Sequence, residues 1–145
     1  MTDFSQAFAD FVEAYRDHPV LFVEEVLKAK PLQWQQELLE TVARGERRVS
    51  VRAGHGVGKS TCCSWLLIWH MLTRFPQKAV VTAPTAGQLF DALFAELKHW
   101  INRLPDALRA TLEVFTDRIV FKGAPESSFI SARTSSAERP EALAG

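Results

Sequence analysis

Along the first third of the chain, hydrophobic residues return at the three-to-four-residue spacing of a helix. Phe4, Phe8, Phe11, Val12 and Tyr15 predict an amphipathic helix over residues 3–16. Asp17, His18 and Pro19 read as a break and a restart, because a proline is tolerated in a first helical turn. Val20, Phe22, Val23, Val26 and Leu27 line a second, short helix. Pro31 opens a third, with Trp34, Leu38, Leu39 and Val42 on one face and an end near Gly45. The period then changes. Residues 48–51 are short, alternating and β-branched, which predicts a strand. Glycines cluster at Gly54, Gly56 and Gly58. Over Lys59–Thr73, Trp65, Leu66, Ile68, Trp69 and Leu72 make a helix that is apolar nearly all round, and such a helix is buried. Residues 79–82 predict a second, central strand that Pro84 ends, and residues 86–103 a further helix. After Pro105, short strands are expected at 113–116, 119–121 and 129–131, and residues 134–145 are polar and rich in alanine and serine. Strand, helix, strand, helix at these lengths is the signature of a parallel sheet flanked by helices, an α/β fold.

Composition narrows the class. The 145 residues suit one domain, and 47% hydrophobic residues suffice for a core. Seventeen basic and 17 acidic side chains cancel, which excludes a protein that coats nucleic acid by bulk charge. The balance is uneven: residues 1–40 hold eight acids and three bases, leaving nine acids and 14 bases for the remainder. Arg44, Arg47, Arg48, Arg52 and Lys59 face a single acid, Glu46, in one stretch, a local field suited to a polyanion. Cys62 and Cys63 are adjacent, a spacing that rarely bridges, so buried, reduced thiols in a cytosolic chain are expected. The four histidines show no metal-ligand spacing. No signal peptide is visible, since Asp3 and Asp10 interrupt the start, and the apolar run at residues 65–69 is far too short to cross a bilayer.

The chemistry concentrates in Ala53, Gly54, His55, Gly56, Val57, Gly58, Lys59 and Ser60, which fit the phosphate-loop pattern when its first position is alanine in place of glycine. A strand delivers the chain to the loop, and glycines let consecutive backbone N–H groups turn inward around a phosphate. A helix starts at once, so that its free N–H groups and dipole face the anion. Lys59 would reach the β- and γ-phosphates of ATP as the catalytic cation, and the Ser60 hydroxyl would ligate Mg²⁺. Thr61 completes the expected nucleotide-binding set, while His55 and Val57 contribute backbone only.

Three elements in order then acquire a resemblance. Pro31, Leu32, Gln33, Trp34, Gln35, Gln36, Glu37, Leu38 and Leu39 precede the phosphate loop, and Val81, Thr82, Ala83, Pro84 and Thr85 follow the next strand. With the tail from Ser136 through Arg139, Pro140 and Gly145, this combination resembles the large terminase subunit of tailed bacteriophages, over roughly residues 17 to 145. The family packages DNA into empty capsids. The resemblance implies a P-loop NTPase fold with an N-terminal helical lead-in, divided into a helical segment 1–44 and a partial ATPase domain 45–145. It implies ATP and Mg²⁺ as cofactors. It implies double-stranded DNA, the small terminase subunit and the portal as partners of the complete motor, with a homo-oligomer possible. It implies the cytoplasm of a bacterial host and no membrane. Gln35 resembles the family's adenine-reading glutamine, a role a side-chain amide suits because it offers a donor and an acceptor. Thr82 to Thr85 resembles the helicase-like element that lies toward DNA or couples to the nucleotide.

Two departures accompany the resemblance. Where many terminases carry an arginine inside the loop, this chain has His55, and Arg52 precedes the loop, so the arginine finger is unassigned and could come from a neighbouring subunit. The hydrophobic strand ending in Asp-Glu, which would hold Mg²⁺ and orient water, is absent from the 145 residues, so this truncated chain is expected to bind nucleotide without turning it over. A helicase-like ATPase fragment and a non-catalytic nucleotide-binding module are the alternative readings.

Overall fold

The computed structural model describes residues 2–45 and 58–134. The strand expected at 48–51, Arg52, the loop residues Ala53 to Val57 and the tail from Ser136 to Gly145 lie outside the described residues. Three N-terminal helices come first: α1 (Thr2–Tyr15), α2 (Pro19–Glu25) and α3 (Gln33–Ala43). Pro19 opens α2 as its first residue, where the missing N–H costs nothing. Helix α4 (Lys59–Thr73) follows, then strand β1 (Lys78–Ala83). A π-helix (Gly87–Phe94) runs into α5 (Ala95–Asn102), and after the short α6 (Asp106–Arg109) come β2 (Leu112–Val114), β3 (Arg118–Phe121) and β4 (Phe129–Thr134).

The sheet is mixed, which corrects the expectation of a parallel one. Among the described residues its order is β1-β4-β3-β2: β1 runs parallel to β4, while β4, β3 and β2 form an antiparallel meander. Connection length explains this. A parallel crossover needs a dozen or more residues, and the helices between β1 and β4 supply them. Only residues 115–117 separate β2 from β3, so that pair must fold back, closed by a Phe115 N–H to Arg118 carbonyl bond of 2.7 Å. Strand β1, expected to be central, ends the sheet among the described residues. Its alternation shows one covered face, with Val81 buried and Val80 53% exposed.

Helix α4 is the hub, as its all-round apolar pattern requires. Trp65, Ile68, Trp69, Met71 and Leu72 are buried on it, in one core with Phe22, Val23 and Leu39 from the N-terminal helices and Val81, Ile119 and Ile130 from the sheet. The Trp69 indole N–H donates to the Tyr15 carbonyl at 2.7 Å and Arg74 stacks over the Trp69 ring at 4.3 Å, so α1 is tied to the far end of α4.

The helix expected over 86–103 is present, but its first half is wound more widely. Leu89 and Phe94 are both fully buried. Their spacing of five residues matches the i, i+5 repeat of a π-helix, which keeps both on the core face.

Candidate functional site

The start of α4 and the end of β1 face each other across an open cleft of about 670 Å³. One wall is Gly58, Lys59, Ser60 and Thr61; the other is Thr82, Ala83 and Pro84, with Gln88 and Ala92 from the π-helix. The volume lies in the range of small-molecule sites, and the carboxyl end of a parallel strand is where α/β folds bind ligands.

Local sequence builds the first wall. Gly58 is the cap residue of α4 and takes φ +86°, a left-handed conformation that a residue without Cβ adopts freely. Its carbonyl accepts the first helical bond, from the Cys62 N–H at 3.0 Å. The N–H groups of the first turn have no partner within the helix, and glycine has no side chain to accept from them. No acid occupies that first turn. The wall therefore presents helix-start N–H groups, the Lys59 ammonium and the Ser60 hydroxyl, with the Thr61 side chain beside them.

Two buried contacts fix this wall from behind. Gln35, only 3% exposed, donates from Nε2 to the Gly58 carbonyl at 3.1 Å, while its Oε1 accepts the Leu32 N–H at 2.8 Å and caps α3. A Cβ at Gly58 would stand 2.7 Å from Gln35 Nε2. On the other side, Thr61 Oγ1 donates to Glu96 Oε2 at 2.8 Å, and the Trp100 indole N–H donates to the same oxygen at 2.7 Å. One turn into the helix, burial and the neighbouring Cys63 push the Cys62 thiol up to about 12, so it stays protonated at neutral pH and is no nucleophile.

The second wall is looser. Thr82, Pro84 and Gln88 are exposed. Thr85 Oγ1 accepts the Gln88 N–H at 3.2 Å, starting the π-helix beneath the cleft.

Of the sequence-predicted site residues, Gly58, Lys59, Ser60 and Thr61 line the cleft, Gln35 lies directly behind Gly58, and Ala53, Gly54, His55, Gly56 and Val57 are outside the described residues. Glu96 and Gln88 were not singled out by the sequence. Glu96 carries one sequence signal, its i, i+4 spacing to Trp100, and Gln88 another, its position three residues after Thr85.

The donor set fits a phosphate chain: a primary ammonium, the Ser60 hydroxyl and helix-start N–H groups that the helix itself leaves unpaired, on a glycine that leaves the backbone accessible. Ser60, half-buried in the first turn, supplies the hydroxyl a hard divalent cation accepts as one ligand beside phosphate oxygens and water. Among the described residues no group of three His, Cys, Asp or Glu could hold a metal by itself, and no helix is long and apolar enough to cross a membrane. Comparison with protein-family models, curated proteins and solved structures finds no match to this chain.

Proposed function

We propose that this chain is the ATP-binding portion of a DNA-packaging motor of the large-terminase kind, with a P-loop NTPase fold. The observation that carries the reading is the cleft in which Lys59, Ser60 and Thr61, at the start of a buried helix, face Thr82 to Pro84 at the end of β1. That is where a strand–loop–helix phosphate cradle presents its donors. The order of sequence elements on either side of it supplies the motor reading. ATP would lay its β- and γ-phosphates against the α4 start, with Mg²⁺ beside Ser60 offsetting their charge. Double-stranded DNA, the small terminase subunit and the portal are the partners this reading entails for the complete motor, and the bacterial cytoplasm its location.

The proposal is confined to binding. No carboxylate stands among the described cleft-lining residues to orient an attacking water. That lining favours, as a second reading, a nucleotide-binding module without turnover. Titration of the purified chain with ATP and Mg²⁺ tests the first claim. Saturable binding is expected, weakened at least 10-fold by Lys59→Ala, a loss of about 1.4 kcal/mol or more. Identical affinity in the two proteins would sink it. Phosphate release by the unsubstituted chain, abolished in Lys59→Ala, would remove the inert-module reading.

A further inference from the structure

We infer that Gln35 is a positioning residue of the phosphate cradle: its carboxamide latches α3 to the Gly58 peptide and so aims the first N–H groups of α4, and it does not read the nucleotide base. The inference rests on the nucleotide reading above and names what the N-terminal helices contribute to it.

The argument begins with what the carboxamide has left to offer. Its oxygen holds the Leu32 N–H at 2.8 Å and its nitrogen holds the Gly58 carbonyl at 3.1 Å. A base read by a glutamine needs that same oxygen and nitrogen side by side on one open edge. Here the side chain is 3% exposed, and the two atoms are committed to two backbone groups 26 residues apart in sequence, Leu32 and Gly58. A base could approach only after both bonds broke.

What the latch does follows from the planarity of the peptide unit. The Gly58 carbonyl and the Lys59 N–H belong to one rigid trans plane and point in opposite directions. Drawing the carbonyl toward Gln35 and Cys62 therefore turns the Lys59 N–H the other way, to the side where Gly58 and Lys59 line the cleft. The carbonyl accepts twice, from Gln35 Nε2 and from the Cys62 N–H at 3.0 Å, and two bonds from different directions fix the plane where one would let it rock. The Cys62 thiol completes the seam with a weak contact to the Gln35 carbonyl at 4.0 Å. Gly58 cannot be exchanged for a larger residue without pushing on the same amide, since the added carbon meets it at 2.7 Å. Residues 33–43 and the start of α4 thus share one hydrogen-bonded joint behind the phosphate-binding face. Its effect is felt by any ligand that uses the N–H groups, whatever base that ligand carries.

Binding of ATP, GTP and inorganic tripolyphosphate, each with Mg²⁺, is the discriminating measurement, made by calorimetry on the unsubstituted chain, Gln35→Met and Gln35→Glu. Methionine fills the volume and removes both bonds. Glutamate keeps the acceptor that caps Leu32 but cannot donate to Gly58 when ionised, so it separates the latch from the helix cap. Both variants are expected to bind all three ligands about 10-fold more weakly, with the ATP-to-GTP ratio unchanged. Amide exchange at Cys62, whose N–H is bonded to the same Gly58 carbonyl, is expected to speed up in both, and it reads the joint even where affinity is low. Loss confined to ATP, with tripolyphosphate unaffected, would mean that Gln35 reads adenine and would overturn the inference. Unchanged affinity for every ligand and unchanged Cys62 exchange would overturn it too. Absence of binding in the unsubstituted chain would instead overturn the nucleotide reading itself.

Discussion

The two walls of the cleft are built on opposite plans. The α4 wall is held from behind on both sides, by Gln35 on the Gly58 carbonyl and by Glu96 on the Thr61 hydroxyl. The β1 wall presents Thr82, Pro84 and Gln88 to solvent, and among the described residues its side-chain tie is the Thr85 hydroxyl under the Gln88 N–H. The first wall turns groups that would be mobile on a bare helix end into a fixed donor array, and preorganised donors bind an anion without the cost of ordering them. The second wall leaves its polar tips free, so its side chains contribute to a ligand and little to the fold. Stability and binding should therefore separate when the walls are altered one residue at a time.

Gly58→Ala strikes the held wall hardest. An alanine at φ +86° carries the left-handed penalty, about 1–2 kcal/mol. Its Cβ also displaces the Gln35 amide, losing a bond worth about 1 kcal/mol. A total destabilisation of about 2–3 kcal/mol is expected from urea unfolding. The double variant with Gln35→Met sharpens the point: with the amide gone, the alanine should cost only its backbone share, so the two changes should fall short of additivity. Full additivity would show that glycine and glutamine do not meet.

Glu96→Ala strikes the same wall from the α5 side. It strands the buried Trp100 N–H and frees the Thr61 hydroxyl. Leaving one buried donor unpaired costs about 1–3 kcal/mol, and the lower half of that range is expected because the Thr61 hydroxyl can rotate to another partner. Thermal unfolding measures it. Glu96→Gln, which keeps an acceptor oxygen, should restore most of the loss; a glutamine as damaging as alanine would point to lost charge and not lost hydrogen bonding.

How much of this could be read from the residues alone differs between the walls for a physical reason. Helix periodicity located α4 over Lys59–Thr73, because a buried helix writes its contacts into its own spacing. That Gly58 to Thr61 stand together at its start was legible in the same way, from neighbours in sequence, whereas the left-handed cap at Gly58 emerges only in the structure. The sheet was not. Val80 and Val81 look like a strand covered on both faces, yet only Val81 is buried, and the direction of β4 depends on how long each connection is and not on the strands themselves. The π-helix was read as an ordinary helix, since Leu89, Phe90, Leu93 and Phe94 fit both periods and only burial selects the wider one. The ties behind the donor wall, Gln35 to Gly58 and Thr61 to Glu96, join residues 23 and 35 apart, and no local pattern announces such pairs.

The open wall gives the smallest expected change in stability. Gln88 is exposed, its side chain makes no hydrogen bond among the described residues, and its helix is anchored by the buried Leu89 beside it. Gln88→Ala should leave the urea midpoint within about 0.5 kcal/mol of the unsubstituted chain, as surface substitutions do. Alanine also removes the one side-chain amide among the described cleft-lining residues. Weakening of tripolyphosphate binding by about 3-fold is expected, corresponding to the roughly 0.5–1.5 kcal/mol net worth of one hydrogen bond. A variant that unfolds early would mean that the second wall is as tightly built as the first. A variant that keeps both its midpoint and its affinity would mean that the ligand rests on the α4 wall alone, and the division between a wall that holds shape and a wall that touches ligand would have to be redrawn with both tasks on one side.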